Sequence, residues 1–343
     1  MRRGLLFAAA ALLGATGCGG GGGSSPSVAP MTHFSSNASI WFHPEPPPAL
    51  WSSAPPGNLG STDYASLFAA NGQWPNVAAH TTTFGMYAGW VLAASDSVLA
   101  NAVAFLNAHN MGIELEAPAL QALPTCGAIE GYVPAQQTVK AVTRAYLSRL
   151  QALGANVTFV KVDEPYFFGS VVSDPRSCHF SVATVVAEVN TYVQIVHDVY
   201  PNAVVGDVEP VIVGPYVPDV VTALTQWHEA YAIATGAPFP FYIADTDFSQ
   251  PGWPALVKTL ENSTHSAGMR FGMIYIGEPE DTSDAEWTGK VVSRFETYQG
   301  ANGGSPDYVL FQSWEFHPKY CLPETSPVTF TGAIARYIAE TSP

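Results

Sequence analysis

Positive charge is what this chain has least of. Lys and Arg number 13 against 28 Asp and Glu, the net charge is −15, and charged residues of both signs make up only 12% of the 343. No basic patch occurs along the sequence, so nucleic acid and anionic membrane surfaces are poor partners and polyanionic substrates are disfavoured. Neither His-x-His nor His-Glu-x-x-His is present, and no second ligand stands at zinc spacing from Cys178-His179; no metal is expected. The chain has no Gly-x-Ser-x-Gly elbow to support a serine nucleophile. A Gly-rich phosphate turn is missing after the first expected strand, which speaks against a doubly wound dinucleotide fold, and no cofactor is expected. Beyond the N-terminus no apolar run reaches the roughly 18 residues of a membrane span.

What is present is apolar and aromatic. Hydrophobic residues make up 47%, with 18 Phe, 15 Tyr and 8 Trp, enough for one large core and for rings that stack on neutral ligands. From residue 38 onward short apolar runs alternate with amphipathic ones, the pattern of β/α units around a parallel sheet. Strands are expected at Ala38 to Phe42, His80 to Tyr87, Met111 to Leu115, Val157 to Val162, Ala203 to Val208, Phe239 to Ala244, Arg270 to Ile276 and Tyr308 to Phe311. Helices are expected at Asp63 to Ala70, Ser95 to His109, Thr138 to Leu153, Ser181 to Tyr200, Val220 to Thr235, Trp253 to Ser266, Ala285 to Tyr298 and Thr331 to Glu340. Eight alternations in one domain give the fold class: α/β, a single (β/α)8 TIM barrel.

The chain is organised around VTFVKVDEPYFFG, Val157 to Gly169. Its strand must stop at Pro165, so Asp163 and Glu164 sit at a C-terminal strand end, where parallel α/β proteins do their chemistry. Carboxylates recur at the other ends: Glu116, Asp207, Glu209, Asp245, Asp247, Glu278 and Glu315. Some of these simply favour the first turn of the following helix. Gathered in one cleft with few cations, they raise each other's pKa, as a general acid requires. Trp41, Tyr166, Tyr275 and Trp314 accompany them and would line a sugar-binding surface. Two-carboxylate glycoside chemistry fits this composition best.

Val162-Asp163-Glu164-Pro165 after the fourth strand, Gly277-Glu278-Pro279 after the seventh and Ser313-Trp314 after the eighth resemble the clan A glycoside hydrolases. The resemblance implies a retaining mechanism with Glu164 as acid/base and Glu278 as nucleophile. Asp163 stands where that clan has Asn. Adjacent Asp-Glu also resembles the β-N-acetylhexosaminidases that use the substrate's own acetamido group. There Asp163 would orient that group, Glu164 would protonate the leaving oxygen, and Glu278 would only bind. The expected substrate is a neutral or amino-sugar glycan, contacted by Glu116, Glu209, Asp245, Asp247, Tyr275, Trp314, Glu315, Tyr166 and Trp41. The competing class is a non-catalytic glycan-binding surface lipoprotein on a degenerate barrel.

Arg2-Arg3, the apolar Gly4 to Leu13 and Gly14 to Cys18 form an export signal that resembles a bacterial lipobox. Three segments are therefore expected: a signal over 1–18 with lipidation at Cys18, a Gly/Ser tether over 19–37, and a catalytic barrel over 38–343. The expected protein is a monomer that meets the membrane only through that lipid anchor, at the periplasm or cell surface. Of the three other cysteines, Cys126 and Cys178 fall in the loops after consecutive strands and are the expected disulfide. Cys321 is left over.

Overall fold

The computed structural model of the chain describes residues 33–47, 60–212, 214 and 217–342. The signal, Cys18 and most of the tether lie outside the described residues. Eight parallel strands close into a barrel: β1 (Ser39–His43), β2 (Thr81–Tyr87), β3 (Gly112–Ala117), β4 (Val157–Asp163), β5 (Val204–Val211), β6 (Phe241–Thr246), β7 (Arg270–Tyr275) and β8 (Tyr308–Gln312). Each pairs with its sequence neighbours, and β8 returns to β1 through Ser39↔Tyr308 to His43↔Gln312. The expected (β/α)8 barrel is the observed fold.

Local chemistry explains the helix starts. Ser95, Thr138, Ser181, Asp219, Ser283 and Thr329 each accept a backbone N–H from the first turn of the helix they precede, which satisfies a donor the helix itself leaves unpaired. Gly236, at φ 84°, ends the helix Val220–Thr235 in the left-handed conformation that glycine adopts without cost. Packing begins inside the expected tether: Phe34 donates its N–H to Glu340 O (3.1 Å) and its ring meets Phe295 and Tyr337. Among the described residues no helix is long and apolar enough to cross a membrane.

The barrel floor is aromatic. Trp41 comes from the middle of β1, and Phe159 (β4), Phe241 (β6) and Tyr308 (β8) from the N-terminal halves of their strands, and each ring touches the other three at centroid distances of 4.5 to 5.9 Å. Side chains alternate along a strand, so Phe159, Lys161 and Asp163 share the inner face of β4, as Phe241 and Asp245 share that of β6. The lumen thus changes from an apolar floor to a polar mouth within four residues.

Cys126 and Cys178 are bonded, with Cα atoms 5.0 Å apart and a sequence separation of 52, while Cys321 is free and buried. The bridge ties the loop after β3 to the loop after β4. Around it Gly127 N–H donates to Arg176 O (2.5 Å), and the Tyr132 hydroxyl donates to Phe168 O (3.1 Å). Replacing both cysteines by Ser is expected to lower stability by about 2 to 4 kcal/mol through the freed loop entropy, read as an earlier midpoint in chemical denaturation.

Candidate active site

Glu164 is the first residue past β4, and its backbone is unusual. At φ 46° it is a non-glycine residue in the left-handed region, a conformation that persists only where neighbours enforce it and that collects at functional sites. The enforcement is visible. Glu164 N–H donates to Val208 O at 3.1 Å, and Phe168 N–H donates back to Glu164 O at 3.0 Å. Glu209, buried at the end of β5, accepts the next two amides, Tyr166 N–H at 2.6 Å and Phe167 N–H at 2.9 Å. Both Glu209 oxygens are thus engaged by the turn that aims Glu164, on the outward side of β5.

The carboxyl of Glu164 is in hydrogen-bond contact with Asp245 at the mouth end of β6. Two carboxyls in contact share a proton, because both cannot ionise at close range. Burial first, then the charges of Asp245, Asp163, Glu130 and Glu209, push Glu164 well above the usual carboxylate range. Burial also raises Asp245, to about 6, while the hydrogen bond from Glu164 pulls it back. Glu164 is thus the donor of the pair and Asp245 the acceptor. Glu130, on the disulfide-tethered loop, adds its charge to both.

Below the pair, Glu116 at the end of β3 is buried, 2.8 Å from Lys161 Nζ and 2.5 Å from Gln312 Nε2. Glu116, Asp163, Glu164 and Asp245 are therefore the expected site residues that the barrel brings together. Lys161, Gln312 and Glu130 join them without a sequence motif of their own, and Tyr87, an aromatic at the end of β2, joins them too. Lys161 and Gln312 were readable in principle, since each lies on the inner side of its strand by simple alternation.

The other expected residues lie elsewhere. Glu278 sits beyond β7 in an ion pair with Arg294, from the outer helix Asp284–Phe295, and its N–H donates to Asp281 Oδ2 at 2.7 Å. Burial raises its carboxyl, and the charges of Arg294 and Lys290 oppose that. Its neighbours are cations of the outer layer, whereas the leading charge on Glu164 is Asp245. Glu315 belongs to the same outer cluster, raised to about 8 by burial and by the charges of Glu278 and Asp281. Asp247 closes its own turn, accepting from Ser249 N–H (3.0 Å) and Gln250 Nε2 (3.0 Å).

Four aromatic expectations divide by orientation. Trp41 is fully buried in the floor, at the opposite end of the lumen from the carboxyls. Tyr275 points outward from β7, its hydroxyl accepting from Gln299 Nε2 at 2.8 Å behind the barrel wall. Tyr166 stacks on Trp227 of an outer helix, 5.6 Å between centroids at 8°. Trp314 stays half-buried on the loop after β8, a loop whose Phe316 and Tyr320 are 50% and 54% exposed. Asp207 also points outward, accepting from Trp227 Nε1 at 2.8 Å and pairing with His228 Nε2 at 3.0 Å.

No set of three His, Cys, Asp or Glu side chains among the described residues is arranged to hold a metal ion. Cavities of about 420 and 430 Å³ open between outer helices; neither is lined by a mouth carboxyl, so the site is defined by carboxyl geometry and not by cavity volume.

No protein-family model matches the sequence, and no curated protein matches it at a significant level. Solved structures do. A fungal β-1,4-galactanase matches at 10% identity over 76% of this chain and 90% of its own, with a TM-score of 0.50. An endo-1,4-β-xylanase from Caldicellulosiruptor owensensis matches at 9% identity, over 80% of this chain and 85% of that one, with a TM-score of 0.48. A D-psicose 3-epimerase matches at 10% identity over 88% of this chain and 99% of its own, with a TM-score of 0.46. At these identities the likeness to the galactanase is one of fold: a closed parallel barrel whose C-terminal mouth is the place for chemistry.

Proposed function

We propose that the protein is a glycoside hydrolase acting on a neutral or amino-sugar glycan, with Glu164 as the proton donor to the leaving glycosidic oxygen. The observation that carries this reading is the Glu164–Asp245 carboxyl pair at the mouth of the barrel. A general acid must hold its proton at the working pH and release it to the substrate. Burial and neighbouring carboxylates keep the proton on Glu164, and Asp245 orients it. As the C–O bond breaks, the proton moves from Glu164 to the departing oxygen; a water oxygen then bonds to the anomeric carbon as it gives a proton to the carboxylate left on Glu164, which restores the acid. The fold shared with a galactanase supports this class. The surplus of acid over base disfavours anionic substrates, and the loop after β8 carries the exposed rings Phe316 and Tyr320.

We place Asp163 ahead of Glu278 in the reaction, because Glu278 Oε1 pairs with Arg294 of the outer helix whereas Asp163 adjoins the acid. Asp163, adjacent to the acid on the inner face of β4, is the carboxyl best placed to assist at the sugar. Export with a lipid anchor at Cys18, and action as a monomer, belong to the same proposal; the Cys126–Cys178 bridge suits an oxidising compartment.

The test is sugar release by the full chain from a panel of neutral and N-acetylated glycans, followed against pH. Activity is expected to fall on the acid side near pH 6, where Asp245 takes up a proton and ceases to accept. It falls again on the alkaline side, where Glu164 loses its own. Absence of release from every glycan, or a profile flat between about pH 4 and 8, sinks the reading.

A further inference from the structure

Beneath the mouth the lumen carries an ammonium. Lys161 in β4 is fully buried, a state lysine sustains only when paired. Its Nζ lies 2.8 Å from Glu116 Oε2 and donates to Gln312 Oε1. Gln312 Nε2 donates in turn to the same Glu116 oxygen (2.5 Å) and to the Tyr87 hydroxyl (3.3 Å). The Tyr87 hydroxyl donates to Ser313 O at 3.0 Å. Lys161, Glu116 and Gln312 form a closed triangle across β4, β3 and β8, which fixes the ammonium one step below Asp163 on the same face of β4.

The groups around this cation come from several strands. His43 (β1) and Glu114 (β3) lie 2.9 Å apart with no exposed surface, and Gly85 of β2 leaves room for the imidazole, since a Cβ there would sit 2.1 Å from its ring. Burial pushes His43 down, so its charge is lost at neutral pH and Lys161 faces the acids without its help. Burial also works against the charge of Lys161, but Glu114, Glu116 and Asp163 outweigh it and raise the ammonium's pKa. In the other direction, the Lys161 charge reaches Asp245, where it opposes Glu116 and Glu130.

We propose that Lys161 is a positioning residue of the mouth: its ammonium, clamped by Glu116 and Gln312, sets how many protons the carboxyls above it hold together. With the cation present, one proton shared between Glu164 and Asp245 is the stable count. Without it, the next proton binds more readily, Asp245 becomes neutral, and Glu164 loses the acceptor that orients it. The catalytic consequence rests on the hydrolase reading; the electrostatic one does not.

Carboxyl-13C NMR titration of the full chain, labelled at Asp and Glu and free of substrate, separates the two. In Lys161→Met the Asp245 titration is expected to rise from about 6 by about 1 to 3 pH units, the size of one nearby opposite charge. Lys161→Arg keeps the charge and is expected to restore the wild-type value. Glu116→Gln removes a negative neighbour at constant shape and is expected to move Asp245 downward. Shifts of opposite sign in the two charge-changing variants are the signature; shifts of the same sign, or none, overturn the proposal. Should Lys161→Met fail to fold, Lys161→Gln, which keeps a hydrogen-bonding group without the charge, decides in its place, and an unmoved Asp245 there is fatal. If the titration shifts but the wild type hydrolyses no glycan, the hydrolase reading falls and the charge device stands. Intact hydrolysis with an unmoved titration leaves the reverse.

Discussion

Glu164→Gln is expected to reduce glycan hydrolysis at least about a hundredfold, the low end of what a positioned general acid contributes. The substitution keeps the shape of the side chain and its backbone hydrogen bonds to Val208 and Phe168, so fold and binding should survive. Glu278→Gln is expected to stay within about tenfold of wild type, since it removes an ion pair with Arg294 and no group that touches Glu164. A hundredfold loss in Glu278→Gln would return that residue to the reaction as a nucleophile and displace Asp163. Near-normal turnover in Glu164→Gln would remove the assignment altogether.

The same variant reports on stability. Glu164 holds its proton in the folded state well above the range of a free glutamate, about 4.3. Between that value and its folded pKa the native state therefore binds more protons than the unfolded chain, and stability falls as pH rises through this window. Gln carries no such cost. Glu164→Gln should melt at a higher temperature than wild type at pH 7, and the gain should vanish below about pH 4, where both states of the wild type are protonated. Loss of function with a gain of stability is the behaviour of a residue retained for chemistry.

Much of this architecture was legible because the signals are local. The helices Val220–Thr235 and Trp253–Ser266 match their expected limits. Pro210 misled the reading of β5, which was expected to end at Val208 and runs to Val211. There Asp163↔Val208 is the last register pair with β4, so Pro210 forgoes no ladder bond on that side. Strand ends located the acids but not the direction of each. Asp163 alternates in step with Phe159 and points in, whereas on β5 the register puts Val204, Gly206 and Val208 on that inner face, so Asp207 and Glu209 point out. Beyond the strand, at Glu278 and Glu315, parity gives no guidance. The contact between Glu164 and Asp245 joins β4 and β6 around the curve of the barrel, and no spacing along the chain encodes it.

Trp41→Ala is expected to cost about 3 to 5 kcal/mol of folding stability, the range for deleting a large aromatic from a core. Trp41 is fully buried, and its indole contacts Phe159 at 4.5 Å, Tyr308 at 4.7 Å and Phe241 at 5.9 Å while Nε1 donates to Ser39 Oγ at 3.3 Å. Each of those rings is anchored on a strand hydrogen-bonded on both sides in a closed sheet, so the floor has little freedom to collapse into the space left behind. The cavity persists, and the loss lies toward the upper end of the range. The carboxyl pair sits at the other end of the lumen, so KM and kcat are expected to hold at temperatures where the variant remains folded. A residue that stacked on the sugar would behave in the opposite way, raising KM with little change in the denaturation midpoint. That second pattern would move Trp41 from the floor of the barrel to its binding surface, and with it the inner-face assignment of β1.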